Sequence, residues 1–206
     1  MSRGNNQKTE GSFDPASEKK GKLFIISAPS GAGKTTLCKE LLKHFKEIRF
    51  SISHTTRQPR SDEAEGIDYF FTSEKEFLEG IKNNTWAEWA EVHGNYYGTS
   101  KEFLNGALSS GSSVLLDIDF QGTMQILKTY SDAVTIFIMP PSIEILKSRL
   151  QYRGTESDEV IERRLINAKQ EIKKKNLYQY IIINDKLTNA REELFNIINN
   201  HLSRKN

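Results

Sequence analysis

The chain has 206 residues, enough for one well-filled core with an insertion or two and too few for two large independent domains. Its 29 Lys and Arg against 27 Asp and Glu leave a net charge of +2, which gives no reason to expect a nucleic-acid scaffold or a membrane-surface protein, and no apolar stretch approaches the length that crosses a bilayer. The single cysteine, Cys38, excludes an internal disulfide framework and fits a reducing compartment, so a soluble cytosolic protein with Cys38 packed in its interior is expected.

Residues 1–21, MSRGNNQKTEGSFDPASEKKG, have almost no apolar side chain to bury and lack the charged and apolar regions of a signal peptide. They are expected to be a disordered extension with no inferred role. From Lys22 to Cys38, KLFIISAPSGAGKTTLC, an apolar run breaks into a glycine-rich loop ending in Gly33-Lys34-Thr35. The pattern predicts a buried strand, a phosphate-binding loop and the first turn of a helix running to about Phe45. Glycines let consecutive backbone N–H groups face inward, and the helix dipole adds positive potential, so the concavity suits an anionic phosphate. Lys34 can then reach β and γ phosphates, and the Thr35 hydroxyl can hold Mg²⁺. In the pattern G-x-x-x-x-G-K-[ST] the first glycine falls on Ala28, where a left-handed backbone would be disfavoured. The competing reading is a Gly/Ser turn with Lys34 merely solvated.

Arg49 to Ser53 alternates as a half-buried strand should, and then the pattern changes. His54 to Gly66 is charged and turn-rich, Asp68 to Phe71 is strand-like, and a helix from about Glu74 to Asn83 opens with Ser73 and Glu76 at capping-box spacing. Trp86 to Val92, a His93-Gly94-Asn95 turn and Tyr96-Tyr97-Gly98 predict an antiparallel hairpin. His54 and His93 have no metal-ligand spacing, which favours surface or turn roles. Beyond this β-rich insertion, strands at Val114–Asp117, Val134–Met139 and Tyr180–Ile183 alternate with helices from about Ser100 to Ser110, Phe120 to Lys128, Ser142 to Gln151 and Ser157 to Lys175, and with a C-terminal helix. Strands alternating with helices behind a phosphate loop predict a three-layer α/β fold with a central parallel sheet.

Two constellations carry further chemistry. Asp117 ends an apolar strand at the sheet edge where ligands bind, placed to hold water around Mg²⁺. Arginines gather at Arg57 and Arg60 in the insertion, and at Arg149, Arg153 and Arg164 around the break after the Val134–Met139 strand. Their planar, permanently charged forks suit phosphate oxygens, although any one of them can equally be a solvated helix-face residue.

The blocks SAPSGAGKTT, SISHTTRQPR, GIDYFF, WAEWAEVHGNYYGTS, VLLDIDFQG, LQYRGTES and IIIND stand in the order and at the intervals of guanylate kinases, and over about residues 22–204 the chain resembles that family. Ala28 is a departure, since the family's loop usually reads SGPSGxGK. The resemblance implies a P-loop NTPase fold with core segments at 22–54, 101–148 and 176–206, a GMP-binding insertion at 55–100 and a lid at 149–175. It implies transfer of the γ-phosphoryl group of MgATP to GMP or dGMP, giving ADP and GDP, with small-molecule substrates only. ATP would lie against Ala28, Pro29, Ser30, Gly31, Ala32, Gly33, Lys34, Thr35, Thr36 and Asn184. Arg57, Arg60, Tyr69 and Tyr97 would grip the GMP phosphate, and Ser53, Glu88, Thr99 and Asp119 would surround the guanine. Lys34, Arg149, Arg153 and Arg164 would neutralise the moving phosphoryl group, with Thr35 and, through water, Asp117 holding Mg²⁺. The insertion and the lid are expected to close over the substrates and exclude water.

Each assignment has a plainer rival. Thr99 with Glu102 has capping-box spacing, Glu88 can be an exposed strand carboxylate, and Tyr69 and Tyr97 can be core aromatics with a wet hydroxyl. At the level of function the rivals are a guanylate-kinase-like module that binds phosphopeptides without catalysis, and a P-loop kinase for another phosphorylated acceptor. Lys34, Thr35 and Asp117 speak against the first, and Ser53, Glu88 and Asp119 together against the second.

Overall fold

The computed structural model describes residues 20–203 except His93 and residues 153–156. Arg153, the turn residue His93 and all but the last two residues of the expected N-terminal extension lie outside the described residues. In chain order the elements are β1 (Leu23–Ser27), α1 (Lys34–His44), β2 (Arg49–Phe50), β3 (His54–Thr55), β4 (Phe70–Phe71), α2 (Glu74–Lys82), β5 (Trp86–Val92) and β6 (Asn95–Ser100). They continue with α3 (Lys101–Ser109), β7 (Val114–Asp117), α4 (Phe120–Thr129), β8 (Val134–Met139), α5 (Ile143–Tyr152), α6 (Asp158–Ile172), β9 (Tyr180–Ile183) and α7 (Leu187–Ser203).

Five strands form a parallel sheet in the order β2-β7-β1-β8-β9. Helices cover both faces, which is why β1, β7 and β8 are almost continuously apolar and buried. Along β1, successive side chains point to opposite faces: Phe24 and Ile26 join Leu37, Leu41 and Leu194 of α1 and α7, while Leu23 and Ile25 join Leu104, Leu108 and Ile126 of α3 and α4. Each fully buried Leu or Ile contributes about 1.5–3 kcal/mol. A third, smaller cluster of Leu146, Leu150, Ile161, Leu165 and Ala168 binds α5 to α6.

The second sheet, in the order β4-β3-β6-β5, grows out of the first. The expected Arg49–Ser53 strand is split, because this stretch carries the chain between sheets: Ser51 N still donates to Leu115 O of β7 at 3.0 Å, while Ser53 O already accepts from Phe70 N of β4 at 2.9 Å. The Asp68–Phe71 strand shortens to Phe70–Phe71 since the Asp68 carboxylate folds back to accept from Ala64 N at 2.9 Å, closing a turn. The β5–β6 hairpin forms as expected, as does the capping box of α2, in which Ser73 Oγ accepts from Glu76 N and Glu76 accepts from Ser73 N. The long charged helix ends at Ile172, with a short 3₁₀ turn at Lys175–Leu177 in place of its last residues.

Candidate active site

The loop after β1 is shaped by two left-handed glycines, Gly31 (φ 89°) and Gly33 (φ 94°). A Cβ on Gly33 would lie 2.3 Å from Asn184 Nδ2, an impossible approach. That nitrogen donates to Ala32 O at 2.8 Å, so Asn184, just past β9, clamps the loop from the next strand but one. Ala28 does not need the left-handed region, because Asn84 is the only non-glycine with positive φ among the described residues. The alanine that breaks the motif therefore costs the loop no strain.

Lys34, at the start of α1, forms an ion pair with Asp117 at the end of β7. The two sit at the carboxyl edge of the sheet, where open α/β folds bind ligands. Arg164 crosses from α6 to donate to Ser30 Oγ at 3.1 Å. A cavity of about 360 Å³ lies over the loop, lined by Ala28 to Gly31, Gly33 to Thr36, Asp119 and Glu171. Cys38 lies behind it on α1, and burial above all, with Asp117 adding to it, pushes its thiol up to about 12, which leaves it unreactive.

A larger cavity of about 700 Å³ joins this loop to the second sheet. Lys34, Thr35, Asp117, Asp119 and Arg164 line one side, and Ser53, Asp68, Tyr69 and Tyr97 the other. Arg57 stands beside Tyr69 and Tyr97: its guanidinium lies 5.4 Å from the Tyr69 ring centre and within polar reach of Tyr97. Arg60 is exposed, and neither it nor Arg57 lines this cavity.

Glu88 and Thr99 are buried next to Asp119 on neighbouring strands. Thr99 Oγ1 donates to Glu88 Oε1 at 2.6 Å, and the cap of α3 is Ser100, whose Oγ accepts from Phe103 N. The capping role weighed for Thr99 thus belongs to its neighbour. Burial, opposed by the Thr99 hydrogen bond and reinforced by the Asp119 charge, pushes Glu88 up to about 7. Gly122 makes room for it, since a Cβ there would come within 2.7 Å of Glu88 Oε2. Asp119 has a structural task as well, because its Oδ1 caps α4 by accepting from Gly122 N at 2.8 Å.

Arg149 faces another cavity. Its Nη2 donates to Asn184 O at 2.9 Å, and both residues line a space of about 640 Å³ on the far side of the loop with Ile145, Tyr152, Leu187 and Thr36. Several wall residues escaped the sequence reading: Ser51, Asp68 and Val92 in the large cavity, Glu171 over the loop, and Ile145, Tyr152 and Leu187 here. Ser51, Asp68, Val92 and Tyr152 stand inside the quoted blocks, but nothing in those blocks marks them as wall residues, and tertiary packing brings all seven to the site.

Comparison with known proteins decides what this arrangement belongs to. The family model described as guanylate kinase matches residues 20–201. The chain belongs to the guanylate kinase family. The guanylate kinase of Geobacter metallireducens is 50% identical over 181 residues, covering 88% of this chain and 89% of that one. That of Neisseria meningitidis serogroup A is 48% identical over the same length, covering 88% of each chain. The crystal structure of guanylate kinase from Anaplasma phagocytophilum superposes with a TM-score of 0.71 at 33% identity, covering 91% of this chain and 89% of the other. The guanylate kinase assignment spans both sheets and the α5–α6 helices, so it includes every cavity described above.

Proposed function

We propose that this guanylate kinase binds ATP over the Ala28–Thr36 loop and GMP against the second sheet, and moves the γ-phosphoryl group between them inside the cleft they share. The observation that carries this reading is the single cavity lined by Lys34, Thr35 and Asp117 on one wall and by Ser53, Tyr69 and Tyr97 on the other. The acceptor is an ionised phosphate oxygen, so no general base is needed, and catalysis rests on alignment and charge neutralisation. Lys34 and Arg164 meet the transferring phosphoryl group. Arg149, on α5, borders the third cavity, and we give it and Arg153 the same charge-neutralising role. Arg57 and Arg60, with the hydroxyls of Tyr69 and Tyr97, hold the GMP phosphate.

Guanine offers N1–H and N2–H₂ as donors beside the O6 acceptor. Glu88 and Asp119 accept from the donors, and Ser53 and Thr99 complete the polar rim. Adenine has an acceptor where guanine has N1–H, so it would leave a buried carboxylate unpartnered. Thr35 and Asp117 are hard oxygen donors on one cavity wall, and among the described residues no cluster of three or more metal-ligating side chains exists. That donor set fits Mg²⁺: Thr35, and Asp117 through water, would hold an ion arriving with ATP, which would supply charge neutralisation across the phosphates. The insertion and the α5–α6 lid close over both nucleotides and keep water from the transfer. The buried thiol suits a reducing compartment, and we assign the enzyme to the cytoplasm.

A coupled assay with ATP and each of GMP, AMP, CMP and UMP tests this reading. GMP should exceed the other acceptors by roughly 10⁴ in kcat/KM. AMP turnover within tenfold of GMP would refute the guanine assignment.

A further inference from the structure

Glu63, in the turn between β3 and β4, has no part in the reading above, yet it contacts the phosphate-gripping group directly. Its Oε1 and Oε2 accept from Arg57 Nη2 at 2.7 and 2.9 Å, and Oε2 also accepts from the backbone N of Arg60 at 2.9 Å. The pair is shielded, with the Arg57 side chain 18% and the Glu63 side chain 12% exposed. Arg57 Nη1 donates to Gln58 O at 2.8 Å. Both terminal nitrogens are therefore tied, and the guanidinium carbon lies over the Tyr69 ring. The turn that carries Glu63 is itself closed by hydrogen bonds from Glu63 N to Arg60 O and from Gly66 N to Tyr69 O.

We propose that Glu63 is a positioning residue, which orders the Arg57 guanidinium for the acceptor's phosphate before the nucleotide arrives. The inference rests on the assignment of Arg57 to the GMP phosphate. A long arginine side chain otherwise surrenders its rotamer freedom when the ligand binds, and ordering it in advance removes that loss from the binding step. A carboxylate beside an arginine also weakens the arginine's pull on a phosphate, so a mere placeholder is the opposing possibility. The tether to the Arg60 backbone decides between them: a placeholder has to leave when phosphate enters, whereas this carboxylate is anchored to the main chain of the same turn. The Arg57 hydrogen bond, with the Arg60 amide next, holds the Glu63 carboxyl below the usual carboxylate range, so it stays ionised at neutral pH.

The test is a double-mutant cycle with Glu63→Gln, Arg57→Ala and both together, reading GMP affinity by calorimetry and guanosine affinity by competition. Glu63→Gln should weaken GMP tenfold or more and guanosine less than twofold, because guanosine has no phosphate for Arg57 to hold. In the Arg57→Ala background, Glu63→Gln should cost less than twofold. GMP affinity unchanged or improved by Glu63→Gln, equal losses for both ligands, or an undiminished loss in the Arg57→Ala background would each overturn the proposal. If Arg57→Ala alone left GMP affinity intact, the phosphate assignment would fall, and this proposal with it.

Discussion

Glu88 is costly to the fold, and on the proposed reading it is also the side chain that accepts from guanine. The residue is 6% exposed, and its carboxyl accepts from Thr99 and is raised by burial to about 7. The folded protein holds this proton more tightly than the unfolded chain, so stability is highest below the ordinary carboxylate pKa and falls as pH rises from about 4.5 to about 7. Glu88→Gln removes that loss while keeping an oxygen for Thr99. Thermal unfolding should show the variant more stable than its parent by about 1–3 kcal/mol at pH 8, with the gap closing towards pH 5. GMP turnover should meanwhile fall a hundredfold or more with KM for ATP little changed, since only guanine loses its acceptor. In the parent enzyme, GMP affinity should rise from pH 6 to pH 8 as Glu88 ionises. The motif singled out Glu88, but its burial was not legible: it sits between Trp86 and Trp89 on a strand whose inward face depends on α4, more than thirty residues later.

At the scale of elements, the loop and helix termini determine which substitutions the site tolerates. Ala28 interrupts the glycine pattern, yet its φ is not positive, so Ala28→Gly should not improve ATP use. Kinetics should leave kcat/KM for ATP within twofold, and unfolding should show a loss of ~0.5–1 kcal/mol from the freer backbone of the unfolded chain. Gly122 behaves oppositely. Within α4 an alanine is normally favoured by ~1 kcal/mol, but its Cβ would press on Glu88 Oε2 at 2.7 Å. Gly122→Ala should therefore raise KM for GMP tenfold or more while KM for ATP stays within twofold. Local signals, such as the Ser73–Glu76 box and the Gly94 hairpin turn, were readable because their partners lie a few residues apart. Asp119 as the cap of α4, Ser100 in place of Thr99 as the cap of α3, and the division of Arg49–Ser53 between two sheets depend on where a helix or strand packs. A local pattern does not carry that information.

At the scale of the whole molecule, the parallel sheet brings β1, β7 and β9 to one edge, and Ser53, Tyr69 and Tyr97 from the second sheet and its turns share a cavity with that edge. The alternation of strands and helices was enough to predict the first sheet, and the charged, β-rich interruption was enough to set the strands of the second apart from it. The orientation of the two sheets was not predictable from either, because it is set by the hinge at Ser51–Ser53 and by the packing of α4 against β5. On the proposed reading, that orientation makes one cleft from two anion sites. The most direct test uses a single molecule that carries adenosine and guanosine joined by five phosphates. It should bind once per chain, compete with both ATP and GMP, and exceed either nucleotide in affinity by 10² or more, because binding at one end raises the local concentration of the other. Competition with only one nucleotide, or two molecules bound per chain, would contradict a shared cleft.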